Sequence, residues 1–432
     1  MNSKDRFLLK NCQIVSRESE GEKDIYVEKG IISCIGNGLK PGDDIDTYDM
    51  KGYYLLPGLC DIHVHLREPG REDKETILTG SMAAVKGGIT DIACMPNTSP
   101  VNDNATITRY IYDKAKDAFC NIYPIGAITK GSKGKEISEM NDLSNAGVVA
   151  YSDDGVSVMD SNVLRKAMEY SKIFGKPIIS HCEDMSLSLD GVINEGRISL
   201  KTNLKGIPSV AEDIIVYRDV ALAEYLGIHL HIAHVSTEKS MNIISDAKSR
   251  GSKITSEVTP HHIALTEDEL LSLNTSAKIN PPLRHRNDVE KLKEGLKSGV
   301  IDVIASDHAP HTTAEKELNI STDVPSGTIG LETMVPVVLT ELYHRGLMTL
   351  REIVNKMCYN PCRIIGIEPP AIEEGALARF TLIDTEAEQV IQKDFFLSKS
   401  RNSVFIGKKL KGRVLMTVVN GKICYFEDKI VY

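Results

Sequence analysis

Between about residue 57 and residue 367 the chain alternates short apolar runs with longer helical stretches, and this alternation limits the possible folds more than any other feature. The runs read as strands near 60–65, 89–95, 122–128, 148–152, 178–181, 230–235, 254–258 and 302–306. Helical patterns fit the gaps, for example 74–86, 162–174, 210–226 and 288–297. About eight βα units in succession favour a closed, α/β (β/α)8 TIM-type barrel over an open doubly wound sheet. The two ends differ from this middle. Runs at 7–16, 24–36, 45–56, 379–384 and 413–425 are short and β-like, broken by Gly, Pro and Asp. Asn420-Gly421 between two apolar runs is a hairpin signal. The chain therefore predicts a small β-sandwich built from 1–56 and 368–432, flanking a barrel of 57–367. The polar stretch 312–330 is long for a barrel connection and is expected to be a substrate loop.

Composition narrows the partners. The net charge is −9 with no block of Lys or Arg, which argues against a nucleic acid or an anionic membrane surface. A single local Arg could still hold an anionic small molecule. No run approaches the roughly 20 apolar residues that span a bilayer. The opening residues, Met1 to Arg6, lack the apolar core of a signal peptide. The nine cysteines are scattered, with only Cys358 and Cys362 close in sequence. They read as free thiols in a reducing cytoplasm.

The chemistry should lie at Asp61-Ile62-His63-Val64-His65-Leu66-Arg67-Glu68-Pro69-Gly70, which follows an apolar strand start and ends in a Pro-Gly break. Residues two apart on a strand share a face, so His63 and His65 converge. Two imidazoles at the C-terminal end of a barrel strand can seat a cation such as zinc. Alone, either would be read as an ordinary surface or core histidine. Other candidates fall at the same end of further strands: Asp153-Asp154-Gly155, His181, His234 and Asp307. A turn role is the plain alternative for the two aspartate sites. His229 and His231 are expected to be structural, His285 and His344 exposed, and His261-His262 outer-shell groups.

Taken in order, Asp61–Gly70, Met95-Pro96-Asn97-Thr98, Ser152-Asp153-Asp154-Gly155, His181-Cys182-Glu183-Asp184, Glu257–His262, Lys278–Arg284 and Asp307–His311 resemble the bacterial class I dihydroorotase family of the amidohydrolase superfamily. The resemblance implies that His63, His65 and Asp307 hold one zinc ion, that His181 and His234 hold another, and that Asp154 bridges them. It implies that Arg67, Asn97 and His311 meet a substrate carboxylate and that Asn280 contacts the ring, with His65, Ser326 and Gly327 also at the substrate site. Family members place an aromatic residue where Ser326 stands and Ala-Asp where Ala378-Arg379 stands. The implied reaction is reversible cyclisation of N-carbamoyl-L-aspartate to L-dihydroorotate in pyrimidine biosynthesis, with Asp307 carrying the proton. A homodimer and association with an aspartate carbamoyltransferase are also implied. Allantoinase and dihydropyrimidinase share the barrel and paired histidines but open rings without a carboxylate, so they have no need of Arg67. A scaffolding relative without activity would lack metal ligands, and here each ligand position is filled.

Overall fold

Eight parallel strands close into a barrel whose last turn of hydrogen bonding joins strand eight to strand one. The computed structural model describes residues 6–431 except 41, 43, 44, 321 and 322. Leu59–Val64 pairs with Ile89–Cys94, which pairs with Asn121–Pro124. The third strand breaks at Ile125 and resumes as Gly126–Ala127, which pairs with Tyr151–Ser152. Ile178–Ser180, Leu230–Ile232, Ile254–Val258 and Val303–Ile304 follow in parallel register. A parallel bridge between Val64 and His308 closes the ring, and His65 N donates to His308 O at 2.9 Å. Beneath it the buried Asp61 carboxylate accepts from the backbone N–H of His63 at 3.2 Å and of Ser306 at 3.1 Å.

Several strands are shorter than the sequence predicts because the chain turns early at its polar ends. Arg67, His234 and Asp307 have φ of +61°, +32° and +46°, a region that costs non-glycine residues energy and aims each side chain into the barrel mouth. The helix expected at 74–86 begins only at Ile77. Thr76 caps it, its hydroxyl accepting from Thr79 N while Thr79 Oγ1 accepts from Thr76 N. Lys74 and Glu75 are thereby left outside the helix. Val210–Leu226 agrees with the prediction, and Ser161–Phe174 and Arg286–Ser298 differ by one or two residues at their ends.

The terminal segments form one hydrogen-bonded sheet of nine strands. Its ends curl together, so that the turn at Gly30 lies against Gly421. The run 24–36 is two strands, Glu20–Glu28 and Ile31–Gly36, turned at Lys29-Gly30 with φ of +52° and +83°. The Asn420-Gly421 hairpin forms as its sequence predicts, joining Lys409–Val419 to Lys422–Phe426. Val15, Leu56, Ile383, Val414 and Tyr425 join the same apolar core as the barrel helices. A smaller core lies inside the curled sheet around Leu9, Ile25, Phe380 and Met416. Arg379, a departure from the family pattern, makes a buried ion pair with Asp91 at 3.0 Å.

One terminal segment behaves differently from the sequence expectation. After Val390 the chain returns to the barrel, where Phe396, Val404 and Phe405 pack with Ile279, Leu283 and Ile329. Glu332 holds this return, accepting from Leu397 N at 2.5 Å and Ser398 N at 3.4 Å. Burial pushes its carboxyl from an ordinary 4.5 up to about 7, against the opposing pull of Lys86. The native state then binds more protons than the unfolded chain between those values, so this group lowers stability as pH rises through that window. Glu332→Gln should therefore gain stability relative to the unaltered protein between about pH 5 and pH 8. Denaturation midpoints whose difference is flat with pH would show the carboxyl to be ionised throughout.

All nine cysteines are free, and only Cys34 is not buried. No helix among the described residues is long and apolar enough to cross a membrane. The N-terminal residues 1–5, expected to lack a leader's apolar run, lie outside the described residues, as do 321 and 322 within the loop 312–330. That loop carries a short helix, Thr313–Lys316, and is otherwise irregular as expected.

Candidate metal centre and active site

The barrel mouth opens on a cavity of about 200 Å³ lined by His65, Arg67, Asn97, Asp154, Gly155, His181, His234, Asn280, Asp307, Ala309, His311, Ser326 and Gly327. Every site residue predicted from the sequence is on this wall except His63, which lies fully buried and packs ring to ring with His65 and His234.

His63, His65 and His181 share one arrangement: an outer nitrogen donates to an oxygen, and an inner nitrogen faces the centre. His63 Nδ1 donates to Glu257, leaving Nε2 at 3.3 Å from Asp154 Oδ1 and 3.5 Å from Asp307 Oδ1. His65 Nδ1 donates to Asn97 Oδ1 at 2.8 Å, leaving Nε2 at 3.2 Å from Asp307 and 3.4 Å from Asp154 Oδ2. His181 Nε2 donates to Glu183 at 2.9 Å, leaving Nδ1 at 2.9 Å from His234 Nε2 and 3.7 Å from Asp154 Oδ1. His234 Nε2 lies 3.5 Å from that same oxygen. The Asp154 carboxylate therefore stands between two donor sets, each oxygen turned to different histidines.

These residues fit a metal. His63 Nε2 and Asp154 Oδ1 are buried with no hydrogen-bond partner, a costly state for polar atoms unless a cation joins them. Two close sets emerge, His63 with His65 and Asp307, and His63 with Asp154 and His234. The second set has His63 where the sequence places His181, and His181 sits at its edge. The field points the same way. Burial would lower the His63 pKa, yet the charges of Asp154, Glu257 and Asp307 raise it well above the ordinary range. Burial raises the Asp307 carboxyl, but His63 and His65 outweigh it and draw it down to about 2. A site that attracts a proton so strongly attracts a cation for the same reason.

Asp153 and Asp154 separate cleanly in role. Asp153 points away from the cavity and accepts from Ile128 N at 2.8 Å and Thr129 N at 3.0 Å, tying the third and fourth strands together. His231 is structural as expected, bonded to Thr255 at 2.9 Å and Glu257 at 3.1 Å. His344 is not exposed as predicted; it is half-buried and its Nε2 donates to Thr385 O at 2.7 Å.

Sequence reasoning missed the outer carboxylates. Glu257 gathers His63, His231 and the backbone of His234, and Glu183 gathers His181 and, at 2.8 Å, Asn280. Each carboxylate sits at or just past a strand end, which was the available signal. It also missed Asn402 of the returning segment, whose amide joins His311 N at 3.1 Å to Ala309 O at 3.0 Å and Gly327 O at 3.1 Å. Nothing local in 393–407 marks that role.

Comparison with known proteins decides the family. The sequence is 48% identical over 427 residues to dihydroorotase of Acetivibrio thermocellus, covering 98% of this chain and 100% of that one. It is 47% identical over 410 residues to dihydroorotase of Pelotomaculum thermopropionicum, covering 95% of each. The chain belongs to the dihydroorotase family. The family described as Dihydro-orotase-like matches residues 52–240, which hold five of the six candidate ligands. The fold is that of L-hydantoinase from Arthrobacter aurescens, with a TM-score of 0.88 over 99% of this chain and 97% of that one at 23% identity. Dihydropyrimidinase from Brevibacillus agri gives 0.86 over 99% and 96% at 22% identity. The architecture is thus the amidohydrolase barrel with its β-sandwich, and the family is one of metal-dependent cyclic amidohydrolases.

The outer carboxylates carry a prediction. A carboxylate that fixes a histidine's tautomer commonly contributes 10–100-fold, roughly, to metal affinity. Glu257→Gln should weaken metal binding by about that factor in a chelator competition. Unchanged affinity would reduce Glu257 to a packing role.

Proposed function

We propose that this chain cyclises N-carbamoyl-L-aspartate to L-dihydroorotate, reversibly, with zinc held by His63, His65 and Asp307 on one side and by His181 and His234 on the other, Asp154 between. The observation that carries the substrate is Arg67. Its guanidinium lines the cavity, its Nε donates to Pro310 O at 3.3 Å, and no ion pair to a carboxylate is found for it among the described residues. Burial lowers its pKa to about 10, so it is still charged at neutral pH. A cation in such a pocket calls for an anionic ligand, and a guanidinium fork suits a carboxylate.

Donors are gathered at the same end. Asn97 gives its Oδ1 to His65, so its Nδ2, now 3.4 Å from Asp154 O, is the group that can turn to a ligand. His311 places Nε2 by the backbone carbonyl of Ser326 at 2.9 Å. Asn280 is held by Glu183 with its amide oxygen left over for a ring N–H. Gly327 has φ of +135° and a Cβ there would come within 2.7 Å of Ala309, so the cavity wall requires glycine at this point. With Ser326 in place of an aromatic residue, the ring meets backbone rather than a stacked side chain.

The imidazole and carboxylate donors suit zinc, which when bound supplies Lewis-acid chemistry, polarising an amide carbonyl and easing deprotonation of water. Asp307 is then the proton carrier. In ring opening its ionised carboxylate takes a proton from the attacking water and passes it to the departing ring nitrogen; in ring closure it returns the proton to the leaving oxygen.

The association we infer is a homodimer. The helix Val210–Leu226 turns Glu212, Asp213 and Asp219 inward and leaves Ile214, Tyr217 and Tyr225 exposed, beside Tyr170 and Ile173 of Ser161–Phe174. Association with an aspartate carbamoyltransferase rests on the family resemblance. A cytoplasmic workplace rests on the free thiols. We assign the catalytic unit to 57–367 and the β unit to 1–56 and 368–432, with 393–407 of the latter packing on the catalytic side.

The proposal is tested by following dihydroorotate formation from N-carbamoyl-L-aspartate at slightly acid pH, before and after chelation, with elemental analysis. Between one and two zinc equivalents per chain and loss of turnover on chelation are expected. Full turnover in a metal-free sample would overturn the reading.

A further inference from the structure

Lys74 is a buried ammonium at the carboxylate end of the cavity, and the role of that site as proposed above leaves it unused. Its Nζ lies 3.0 Å from His311 Nδ1 and 2.8 Å from Glu315 Oε1. The cap at Thr76 holds it there by starting the helix only at Ile77, three residues later. An ammonium can only donate. His311 Nδ1 must therefore offer its lone pair, and the ring proton sits on Nε2. That proton points along the cavity wall at Ser326 O, 2.9 Å away, where an arriving carboxylate could take it over. The other tautomer would present a lone pair to the same anion.

We infer that Lys74 is a positioning residue, locking His311 as a donor toward the substrate carboxylate. This rests on the dihydroorotate reading of the cavity. Lys74 does not touch the substrate. Glu315 balances it and also accepts from the backbone of Thr312 at 3.0 Å, fixing the start of the loop that carries Lys316. The cavity is then polar along its length, with carboxylates and imidazoles at the metal end and Arg67, His311 and Lys74 at the other.

The test uses the metal-loaded protein, with Lys74→Met removing the charge at similar length and Lys74→Arg restoring it. Lys74→Met should raise KM for dihydroorotate by roughly 10–100-fold, the size of the charge-assisted contact that His311 would lose when it no longer presents Nε2–H. Its kcat should stay within about threefold, because the contact is made equally in ground and transition states. Lys74→Arg should recover most of the loss. Nitrogen NMR of histidine-labelled protein, with His311 assigned through a His311→Asn spectrum, should show the Nε2–H form in the unaltered chain. A KM unchanged in Lys74→Met while the melting temperature falls would make the residue merely structural and overturn the inference. So would an Nδ1–H form of His311 in the unaltered protein. If the unaltered protein fails to turn over dihydroorotate, the substrate reading falls, and the tautomer spectrum still decides whether Lys74 orients His311.

Discussion

Asp307→Asn should depress ring opening and ring closure together, by roughly 10²–10⁴-fold, the usual loss when a general base is removed. Asparagine keeps the size and one oxygen but cannot carry a proton. The unaltered carboxyl, drawn below the ordinary carboxylate range by the imidazoles against the effect of burial, would be held down by a bound cation in the same direction, so it is ionised at neutral pH and ready to accept. Opening the dihydroorotate monoanion yields a dianion and releases one proton. The ratio of opening to closing kcat/KM should therefore rise about tenfold per pH unit, opening gaining and closing falling as pH increases. Both directions are measured across pH, with zinc content determined in parallel so that loss of metal is separated from loss of proton transfer. An asparagine variant that keeps its metal and most of its activity would remove Asp307 from the mechanism. His308 could not replace it. Its Nδ1 accepts from Gly330 N at 3.2 Å and its Nε2 lies 3.2 Å from Glu75, so both nitrogens are occupied away from the cavity.

Arg67→Met should raise KM for dihydroorotate with a much smaller effect on kcat. Losing one partner of a buried charge pair costs about 2–5 kcal/mol, or roughly 30- to 5,000-fold. Lysine would restore the charge but not the fork, so Arg67→Lys should recover only part. Inhibition by an anionic ring acid should weaken in parallel, while a neutral ring analogue should be affected little. Equal losses for both would mean that Arg67 shapes the cavity rather than reading charge.

The barrel was legible because each strand is a short apolar run ending at a polar residue, and the paired histidines mark the end of the first. What the pattern overestimated was strand length. His234 and Asp307 leave extended geometry to reach the centre, and that depends on contacts across the mouth rather than on neighbours in sequence. The candidate metal ligands were legible for the same reason that the strands were, since they cluster at strand ends, His63 and His65 together at the first. The groups that orient them were not. Glu257 reads as one more polar residue until His63 and His231, both distant in sequence, are seen to converge on it. Asn402 is further still from the residues it braces, and the β-like ends around it hid the return of 393–407 to the barrel. Lys74 was read inside a helix, and only the Thr76 cap places it at the cavity.

The most direct test of the account is kcat/KM of the zinc-loaded protein for dihydroorotate beside dihydrouracil, hydantoin and allantoin under one set of conditions. Turnover of dihydroorotate should exceed that of the three neutral rings by orders of magnitude, and Arg67→Met should shrink the gap. A preference for any neutral ring, or no turnover of dihydroorotate with metal in place, would contradict the claim that this cavity reads a carboxylate.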